Sequence, residues 1–333
     1  MNKIGVTVWM GMTIRNVLFS PTSYVLQKNF IVKVYTNLND QLSQNDYISF
    51  LDIDRGELSF PKIKKMLSRI LYKWNYYALW RRHKPNTMKK YIEREKSINP
   101  IRSTINSFGG YFVNFVRKDK KFDWLRNLCY KINLSDELNT LDVLLITSTD
   151  LIEDQILLYN CKRLGIPVVL LVHSWDNLPS RGLLSTIPDR ILVWNSFMAK
   201  DAVKYHGINE KKIDIVGVPQ FELYRKQKNQ VDLILFRKKM DIKKDQKIIT
   251  YTASAKRVFP DEQVFIELLI NKINDGIFGD AVLILRLHPK ERKEYYKKLY
   301  YNSKLPIRLD FPDFGFAANT ESGKINKDGI NNF

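Results

Sequence analysis

A ten-residue segment from His173 to Gly182, with the sequence HSWDNLPSRG, combines an imidazole, a carboxylate, an amide, hydroxyls and a guanidinium. The ordinary pKa of an imidazole is about 6.5, so a neutral His173 can take the proton of an acceptor hydroxyl at neutral pH. Asp176 is predicted either to orient that imidazole or to be the base itself. The other polar side chains are predicted to bind an acceptor or a phosphate: Asn177, Ser180 and Arg181. The alternative is a histidine that only ends a strand, followed by a solvated loop.

Two later loops carry hydroxyls and cations that suit a diphosphate, because helix N–H groups and positive charges both favour phosphate. The first loop follows a predicted strand and contains Thr252, Ser254, Lys256 and Arg257. The second follows the next predicted strand and contains His288 and Lys290. In a parallel sheet both loops lie at the same edge, where they can bind one ligand together. The alternative for each loop is that its polar side chains are only solvated at the protein surface.

Other candidate motifs are weaker. The turn at Gly11 either presents backbone N–H groups to a substrate or only permits a tight strand-to-helix connection. Asp52 and Asp54 have a spacing with which some transferases hold a divalent cation, but the surrounding strand order does not fit that class, and no metal site is predicted. Neither G-x-x-x-x-G-K-[ST] nor G-x-G-x-x-G occurs, so neither nucleotide fingerprint is present.

Short apolar strands that alternate with amphipathic helices surround these loops, a pattern typical of a parallel α/β sheet. The predicted strands are 3–10, 30–35, 143–146, 168–172, 190–194 and 213–216, followed by 247–252, 282–287 and 307–309. Helices are predicted over 13–27, after Asp150 with Glu153 completing a capping box, from Asn195 to Gly207, and after Asp261.

The sequence is strongly basic, with 54 Lys and Arg against 35 Asp and Glu in 333 residues, a net charge of +19. Residues 62–131 alone hold 19 basic and 4 acidic residues, a net of +15, together with many aromatic residues at roughly helical spacing. This helical insert is predicted to bind an anionic membrane surface. Its aromatics could instead form a small core of their own, and a nucleic-acid-binding protein is a further alternative.

The length allows about two domains. We predict an N-terminal Rossmann-like domain over 1–219 with the insert at 60–135, a linker over 220–245, a partial C-terminal Rossmann-like domain over 246–312 and a disordered tail over 313–333. Cys129 and Cys161 are expected to be buried thiols. With no run of 18 apolar residues and no signal-peptide cleavage pattern, the prediction is a cytoplasmic protein, peripheral at the inner face of the plasma membrane.

Several motifs occur in an order and spacing that resemble a bacterial protein group. They are HSWDNLPSRG at 173–182, RILVWN at 190–195, YHGI at 205–208, VGVPQFE at 216–222, the loop 252–261 and LHPK at 287–290. Together they resemble the GT-B-type glycosyltransferase-like proteins of surface-polysaccharide synthesis, which are related to CDP-glycerol glycerophosphotransferases and UDP-N-acetylglucosamine 2-epimerases. The resemblance covers residues 3–35 and 142–290.

The resemblance implies two Rossmann-like domains, with the acceptor bound by the N-terminal one and a nucleotide-activated donor by the C-terminal one. His173 matches in position a histidine proposed as base in the glycerophosphotransferases, although its flanking residues differ, and His288 matches a His-Pro pair near the donor phosphates. The implied reaction is the metal-independent transfer of a sugar or polyol phosphate from a nucleotide sugar or CDP-polyol to a cell-surface glycan or lipid-linked acceptor, without a cofactor. Because residues 313–333 lack the donor-binding elements of relatives, a truncated, inactive remnant is the alternative.

Overall fold

The structure is a computed structural model that describes residues 1–10, 13–18, 20–37, 54–56, 58–117, 120–222, 233–254, 259, 261–288, 293–300 and 305–311. Residue contacts divide the chain into two compact units. The described residues up to 222 belong to the first unit, and those from 233 onwards belong to the second. Gly11, Asp52, Lys256, Arg257, Lys290 and the predicted tail 313–333 lie outside the described residues.

The first unit contains a parallel sheet of seven described strands in the order β3-β2-β1-β4-β5-β6-β7. The strands are β1 (Lys3–Thr7), β2 (Ile31–Tyr35), β3 (Asp54–Gly56), β4 (Val143–Ile146), β5 (Val168–Leu171), β6 (Arg190–Val193) and β7 (Ile213–Ile215). Each neighbouring pair is parallel. The chain order reverses between β1 and β4, so this sheet is doubly wound, as the sequence predicts.

The helices around the sheet begin where local chemistry supports them. The predicted helix 13–27 is wrong as a single element: a π-helical turn, Ile14–Leu18, precedes α1 (Pro21–Asn29), which begins behind the Ser20 cap. Among the described residues five further helices accompany the sheet and the insert, and their bounds are α2 (Lys62–His83), α3 (Asn86–Ile98), α4 (Pro100–Val116), α5 (Lys120–Tyr130) and α6 (Ser135–Leu138). Three more follow in the first unit: α7 (Ile152–Arg163), α8 (Asn177–Ser180) and α9 (Ser196–His206). The last of these is capped by Asn195 and ends at Gly207, as predicted.

The basic insert is helical, as predicted, and consists of α2 to α5. Its core includes Tyr76 and Tyr77 of α2 and continues into Ile156 of α7, so the insert packs directly on a helix of the sheet. Both cysteines are buried, as expected, and burial raises the pKa of Cys129 to about 11. Within the described residues, no helix is long and apolar enough to cross a membrane.

The insert also holds the segment that follows α8. The backbone carbonyl of Asn75 in α2 accepts a hydrogen bond from the N–H of Leu183. The side-chain amide of Asn75 donates to Ser185 Oγ at 2.8 Å. The half-buried Arg117 guanidinium donates to the backbone carbonyl of Leu184 at 2.5 Å. Tyr130 OH lies 2.9 Å from Ser185 Oγ. The helices that carry much of the positive charge thus fix the backbone beside the His173 segment.

The second unit contains a parallel three-stranded sheet among its described residues, in the order β10-β9-β8. These strands are β8 (Lys247–Thr252), β9 (Ala281–Arg286) and β10 (Ile307–Asp310), close to the predicted ranges. The helices are α10 (Leu233–Lys239), α11 (Glu262–Asn274) and α12 (Lys293–Tyr300). Leu283 and Leu285 of the central strand are buried in a core that α11 and α12 cover.

Candidate functional site

The carboxyl ends of β1 and β4 meet where the strand order of the first sheet reverses, the place where doubly wound sheets bind ligands. A buried carboxylate, Asp154 in the first turn of α7, lies beneath this point. Its oxygens accept the Trp9 indole N–H at 2.6 Å and the backbone N–H groups of Ser148 and Thr147 at 2.9 and 3.3 Å. One carboxylate therefore joins the loops that follow both strands.

The predicted cap of the helix that carries Asp154 is wrong. The helix α7 begins at Ile152 behind Leu151, and no side chain caps it. Asp150, the predicted cap, accepts a hydrogen bond from Ser148 Oγ at 2.8 Å instead. Complete burial raises the pKa of Asp154 to about 7, although its hydrogen-bond donors oppose that shift.

His173 follows β5, and a hydrogen bond from its ring to the backbone of Thr147 determines which ring nitrogen is basic. The ring Nδ1 lies 2.8 Å from the carbonyl oxygen of Thr147. Because a carbonyl only accepts, Nδ1 carries the proton and Nε2 of a neutral ring is left as the basic atom. The same peptide group presents its N–H, that of Ser148, to Asp154. A carboxylate, a peptide group and an imidazole thus form one hydrogen-bonded series.

The other members of the predicted segment take different places. Asn177 is buried, and its amide nitrogen lies 3.4 Å from Nε2 and 3.5 Å from Nδ1 of His173. Asp176 does not orient the imidazole as one prediction had it, because its carboxylate accepts from Ser174 Oγ at 2.5 Å while Thr147 and Asn177 contact the ring. Ser180 donates to the backbone carbonyl of Asp176. The roles of Asp176 as base and of Ser180 in binding stay predictions.

Arg181 lies at the exposed end of the segment and forms an ion pair with Asp150 at 3.4 Å. Tyr72 of the insert is close enough for both charges to influence it, although burial is the main cause of its raised pKa. The neighbouring Gly182 has a φ of +83°, and a Cβ there would lie 3.0 Å from the backbone of Tyr76. Glycine is therefore required for the chain to pass this close to α2.

A narrow cavity opens beside His173, with room for about one water molecule. Among the residues that line it are Thr13 and Trp194, which the sequence analysis did not single out. The Thr13 hydroxyl and the Trp194 indole N–H are buried without a hydrogen-bond partner among the described residues. Since buried polar groups are nearly always paired, these two are suited to a hydroxyl of a bound ligand.

The second unit brings Thr252, Ser254 and His288 to one sheet edge. Thr252 ends β8 in register with Arg286 of β9, so Ser254 and His288 follow neighbouring parallel strands, as predicted. Glu262, which the sequence analysis missed, is buried at the start of α11 and accepts the Ser254 backbone N–H at 2.6 Å and the Tyr251 hydroxyl at 3.2 Å. These bonds tie the loop after β8 to the helix that follows it.

No group of three or more His, Cys, Asp or Glu side chains that could hold a metal ion occurs in the part of the chain that the structure describes. The residues missed around His173 carried a recognisable signal. Thr147, Ser148, Thr149 and Asp150 form a polar run directly after the apolar strand β4. The rule that selects polar loops after parallel strands therefore also selects this loop.

No protein-family model matches the sequence, and no curated protein matches it. Among solved structures, the chain is similar to a candidate UDP-N-acetylglucosamine 2-epimerase from Listeria monocytogenes, with a TM-score of 0.50 and 11% identity over 93% of this chain and 69% of that one. It is also similar to Staphylococcus aureus MnaA in a structure with UDP (TM-score 0.49, 12% identity, 94% and 69% covered) and to a glycosyltransferase from Rickettsia africae (0.48, 13%, 93% and 68%). The likeness to the Listeria structure shows a shared fold, and the chain has the GT-B fold.

Proposed function

We propose that the protein is a metal-independent enzyme that transfers a sugar, or a polyol phosphate, from a nucleotide-activated donor to a hydroxyl group. Its acceptor is a cell-surface polysaccharide or a lipid-linked glycan. One observation carries the proposal: the basic Nε2 of His173 belongs to a ring held by Thr147, beside a cavity where Thr13 and Trp194 have no hydrogen-bond partner among the residues that the structure describes. The GT-B fold, which nucleotide-sugar enzymes use, is consistent with it.

In the proposed reaction the acceptor hydroxyl enters the cavity beside His173. Its oxygen accepts one hydrogen bond, from the Trp194 N–H or the Thr13 hydroxyl, and uses its remaining lone pair to attack the donor carbon or phosphorus. The hydroxyl proton passes to Nε2 of His173 as the new bond forms. The bond from the donor to the diphosphate or nucleotide breaks, and its electron pair stays on that leaving group. The Thr147 carbonyl accepts a hydrogen bond from the imidazolium that results, and above the Asp154 pKa of about 7 the ionised carboxylate adds a negative charge behind that peptide group.

We assign donor binding to the second unit. Ser254 and His288 lie at the carboxyl edge of its sheet, where a diphosphate can accept from hydroxyls, backbone N–H groups and cations. Thr252, Lys256, Arg257 and Lys290 are assigned to the same ligand from their sequence positions. In the first unit, Arg181 with Asn177 and Ser180 is assigned to the acceptor, and the exposed guanidinium is the group suited to an acceptor phosphate. The turn at Gly11 is assigned there also.

Isothermal calorimetry on the full chain tests the proposal. UDP-, CDP- and GDP-linked sugars and CDP-glycerol are titrated with and without a chelator of divalent cations. Binding of at least one nucleotide in the micromolar to millimolar range, unchanged by the chelator, is expected for a site that uses cations and helix N-termini. If none binds at millimolar concentration to protein with an intact circular-dichroism spectrum, the proposal is wrong. If binding requires the metal, the metal-independent mechanism is wrong.

A further inference from the structure

The helix α4 of the insert has its largest apolar side chains on its outer face. Five of them are spaced so that they form a single stripe along the helix. Their exposed fractions are 74% for Ile101, 58% for Ile105, 71% for Phe108, 44% for Phe112 and 72% for Phe115. We call these five residues the α4 stripe. None of them carries a charge or a hydrogen-bonding side chain.

The inner face of α4 is made of smaller and more polar residues. Its buried positions are Ser103, Asn106, Gly109, Gly110, Val113 and Val116. A Cβ at Gly109 would lie 2.2 Å from the ring of Trp74, and one at Gly110 would lie 2.8 Å from the backbone of Ala78. This helix therefore packs closely on α2 through its glycines. The usual arrangement of a surface helix, with large apolar residues inside, is reversed.

The stripe continues into an apolar groove on the surface of the insert. Trp74 of α2 lies edge-on to Phe112 with the ring centroids 6.2 Å apart, and Tyr111 lines the same groove. Tryptophan and tyrosine are the side chains that favour the boundary between lipid headgroups and acyl chains. A contiguous apolar surface of this kind marks an interaction site.

Cations border this surface. The exposed Arg81 donates to Ser107 Oγ of α4 at 2.8 Å, and its guanidinium lies 6.0 Å from the centroid of the Tyr111 ring. Its neighbour Arg82 donates to Asn114 Oδ1 at 2.9 Å. Both belong to residues 62–131, which carry 19 basic residues against 4 acidic ones. The surface thus combines an uncharged apolar stripe with a surrounding positive charge.

We infer that the α4 stripe inserts into the interface of a bilayer that contains anionic lipid, while the surrounding Lys and Arg side chains bind its headgroups. Phenylalanine and isoleucine on one helix face with cations beside them match the two layers of such a surface. A second copy of this chain would bring two like-charged surfaces together, which disfavours self-association through this face. The inference needs no nucleotide or catalysis, so it does not depend on the proposed reaction.

Flotation of the purified full chain with vesicles tests this inference. We expect it to bind phosphatidylcholine vesicles that contain about one-third phosphatidylglycerol, to bind pure phosphatidylcholine vesicles far less, and to dissociate as salt is raised. The variant F108S/F115S removes two side chains that are already 71% and 72% exposed, so its fold is expected to persist. Its vesicle affinity is expected to fall about tenfold or more.

Phe197 provides a matched control, because it is 74% exposed on α9, outside the insert. The variant F197S is expected to bind vesicles like the wild type. Three outcomes would overturn the inference. The wild type does not bind anionic vesicles, or F108S/F115S binds them as tightly as the wild type does. The third is sedimentation that shows a dimer which F108S/F115S disrupts and F197S does not. Binding to random single-stranded RNA but not to vesicles would also overturn it in favour of a nucleic-acid surface. Calorimetry with nucleotides, run on the same samples, reports separately on the proposed reaction.

Discussion

The indole N–H of Trp9 donates a hydrogen bond of 2.6 Å to the carboxylate of Asp154, a residue 145 positions away in the sequence. Both side chains are buried. The bond joins the end of β1 to the first turn of α7 at the point where the strand order reverses. Asp154 also accepts the N–H of Ser148, and the carbonyl of the same peptide group, that of Thr147, accepts the hydrogen bond of His173. The Trp9–Asp154 bond therefore helps to position the proposed catalytic base.

Replacing Trp9 with phenylalanine tests how much this bond stabilises the fold. The variant keeps an aromatic ring but leaves the buried carboxylate with one donor fewer, and we expect the free energy of unfolding to fall by about 2 kcal/mol. The loss should be larger at pH 8 than at pH 5, because the N–H stabilises the ionised carboxylate, whose pKa burial raises to about 7. Urea denaturation at the two pH values measures both effects.

Trp194→Phe is the matched control for that experiment. The Trp194 N–H has no hydrogen-bond partner among the described residues, so its removal is expected to leave stability unchanged or slightly increased. If the two tryptophan variants lose equal stability, the Trp9–Asp154 bond is not the cause. In ligand binding the order should reverse, because Trp194 lines the cavity beside His173.

Two buried groups of the first unit give opposite pH dependences of stability. Asp154 has a folded pKa of about 7, raised by burial, so between about pH 4 and 7 the folded state holds a proton that the unfolded state has lost. Its contribution to stability therefore falls as pH rises through that range. Burial lowers the pKa of His206 to about 4, so between about pH 4 and 6.5 the unfolded state holds the extra proton and stability rises with pH. In the wild type the two effects oppose each other.

Removing either titrating side chain should reveal how the other makes the free energy of unfolding change with pH. Relative to the wild type, we expect the unfolding free energy of D154N to rise more steeply between pH 4.5 and 6, and that of H206Q to fall, each by about 1.4 kcal/mol per pH unit. Tryptophan fluorescence follows the first unit alone, since all six tryptophans precede residue 195. Parallel curves for the two variants and the wild type would show that these groups titrate as in the unfolded chain.

The sequence predicted the sheets better than the site. The apolar runs of β4, β5 and β8 are sufficient to predict these strands. The loop containing His173 could be selected because it comes directly after a predicted parallel strand. The buried carboxylate behind the Thr147 peptide group could not be predicted in the same way. Asp154 lies within a helical pattern and is buried only because Trp9 and the N–H groups of residues 147 and 148 converge on it from two other segments.

Long-range packing also decided which aromatic residues of the insert became core. Composition left two alternatives open, a small core or an exposed surface, and the structure contains both. Tyr76 and Tyr77 are buried, whereas Phe108 and Phe115 are exposed. Helical spacing alone cannot separate these sets, because Gly109 and Gly110 move the packed face of α4 away from its largest side chains.

Gly182→Ala should show how much the close contact between the insert and the His173 segment adds to the stability cost of backbone strain alone. Alanine at a φ of +83° is strained, and its Cβ would lie 3.0 Å from the backbone of Tyr76, so we expect a loss of about 3 kcal/mol. Gly165→Ala is the control, because Gly165 has a φ of +75° and nothing within 4 Å of the added carbon. Its loss should be about 1 kcal/mol. Equal losses in urea denaturation would mean that the close approach contributes nothing.

The two ring-held histidines of the first unit should show opposite tautomers when neutral. His173 donates from Nδ1 to Thr147, whereas His206 accepts the N–H of Leu184 at Nδ1 and donates from Nε2 to Leu178. Long-range ¹H–¹⁵N spectra of the labelled protein distinguish the two forms, and His173→Gln and H206Q assign the signals. An Nε2–H tautomer at His173 would leave that ring without the basic atom that the proposed mechanism requires.

Replacing His173 with alanine is the direct test of the base. We expect turnover with the nucleotide donor to fall by about a thousandfold, the usual contribution of a positioned general base. Nucleotide affinity should stay near normal, because the donor is assigned to the second unit. His83→Ala is the control, since His83 packs on Tyr205 at a ring distance of 5.2 Å and lies among neither the cavity residues nor the partners of His173. Turnover retained by the His173 variant would remove the imidazole from the mechanism, and Asp176, the other predicted base, would be replaced next.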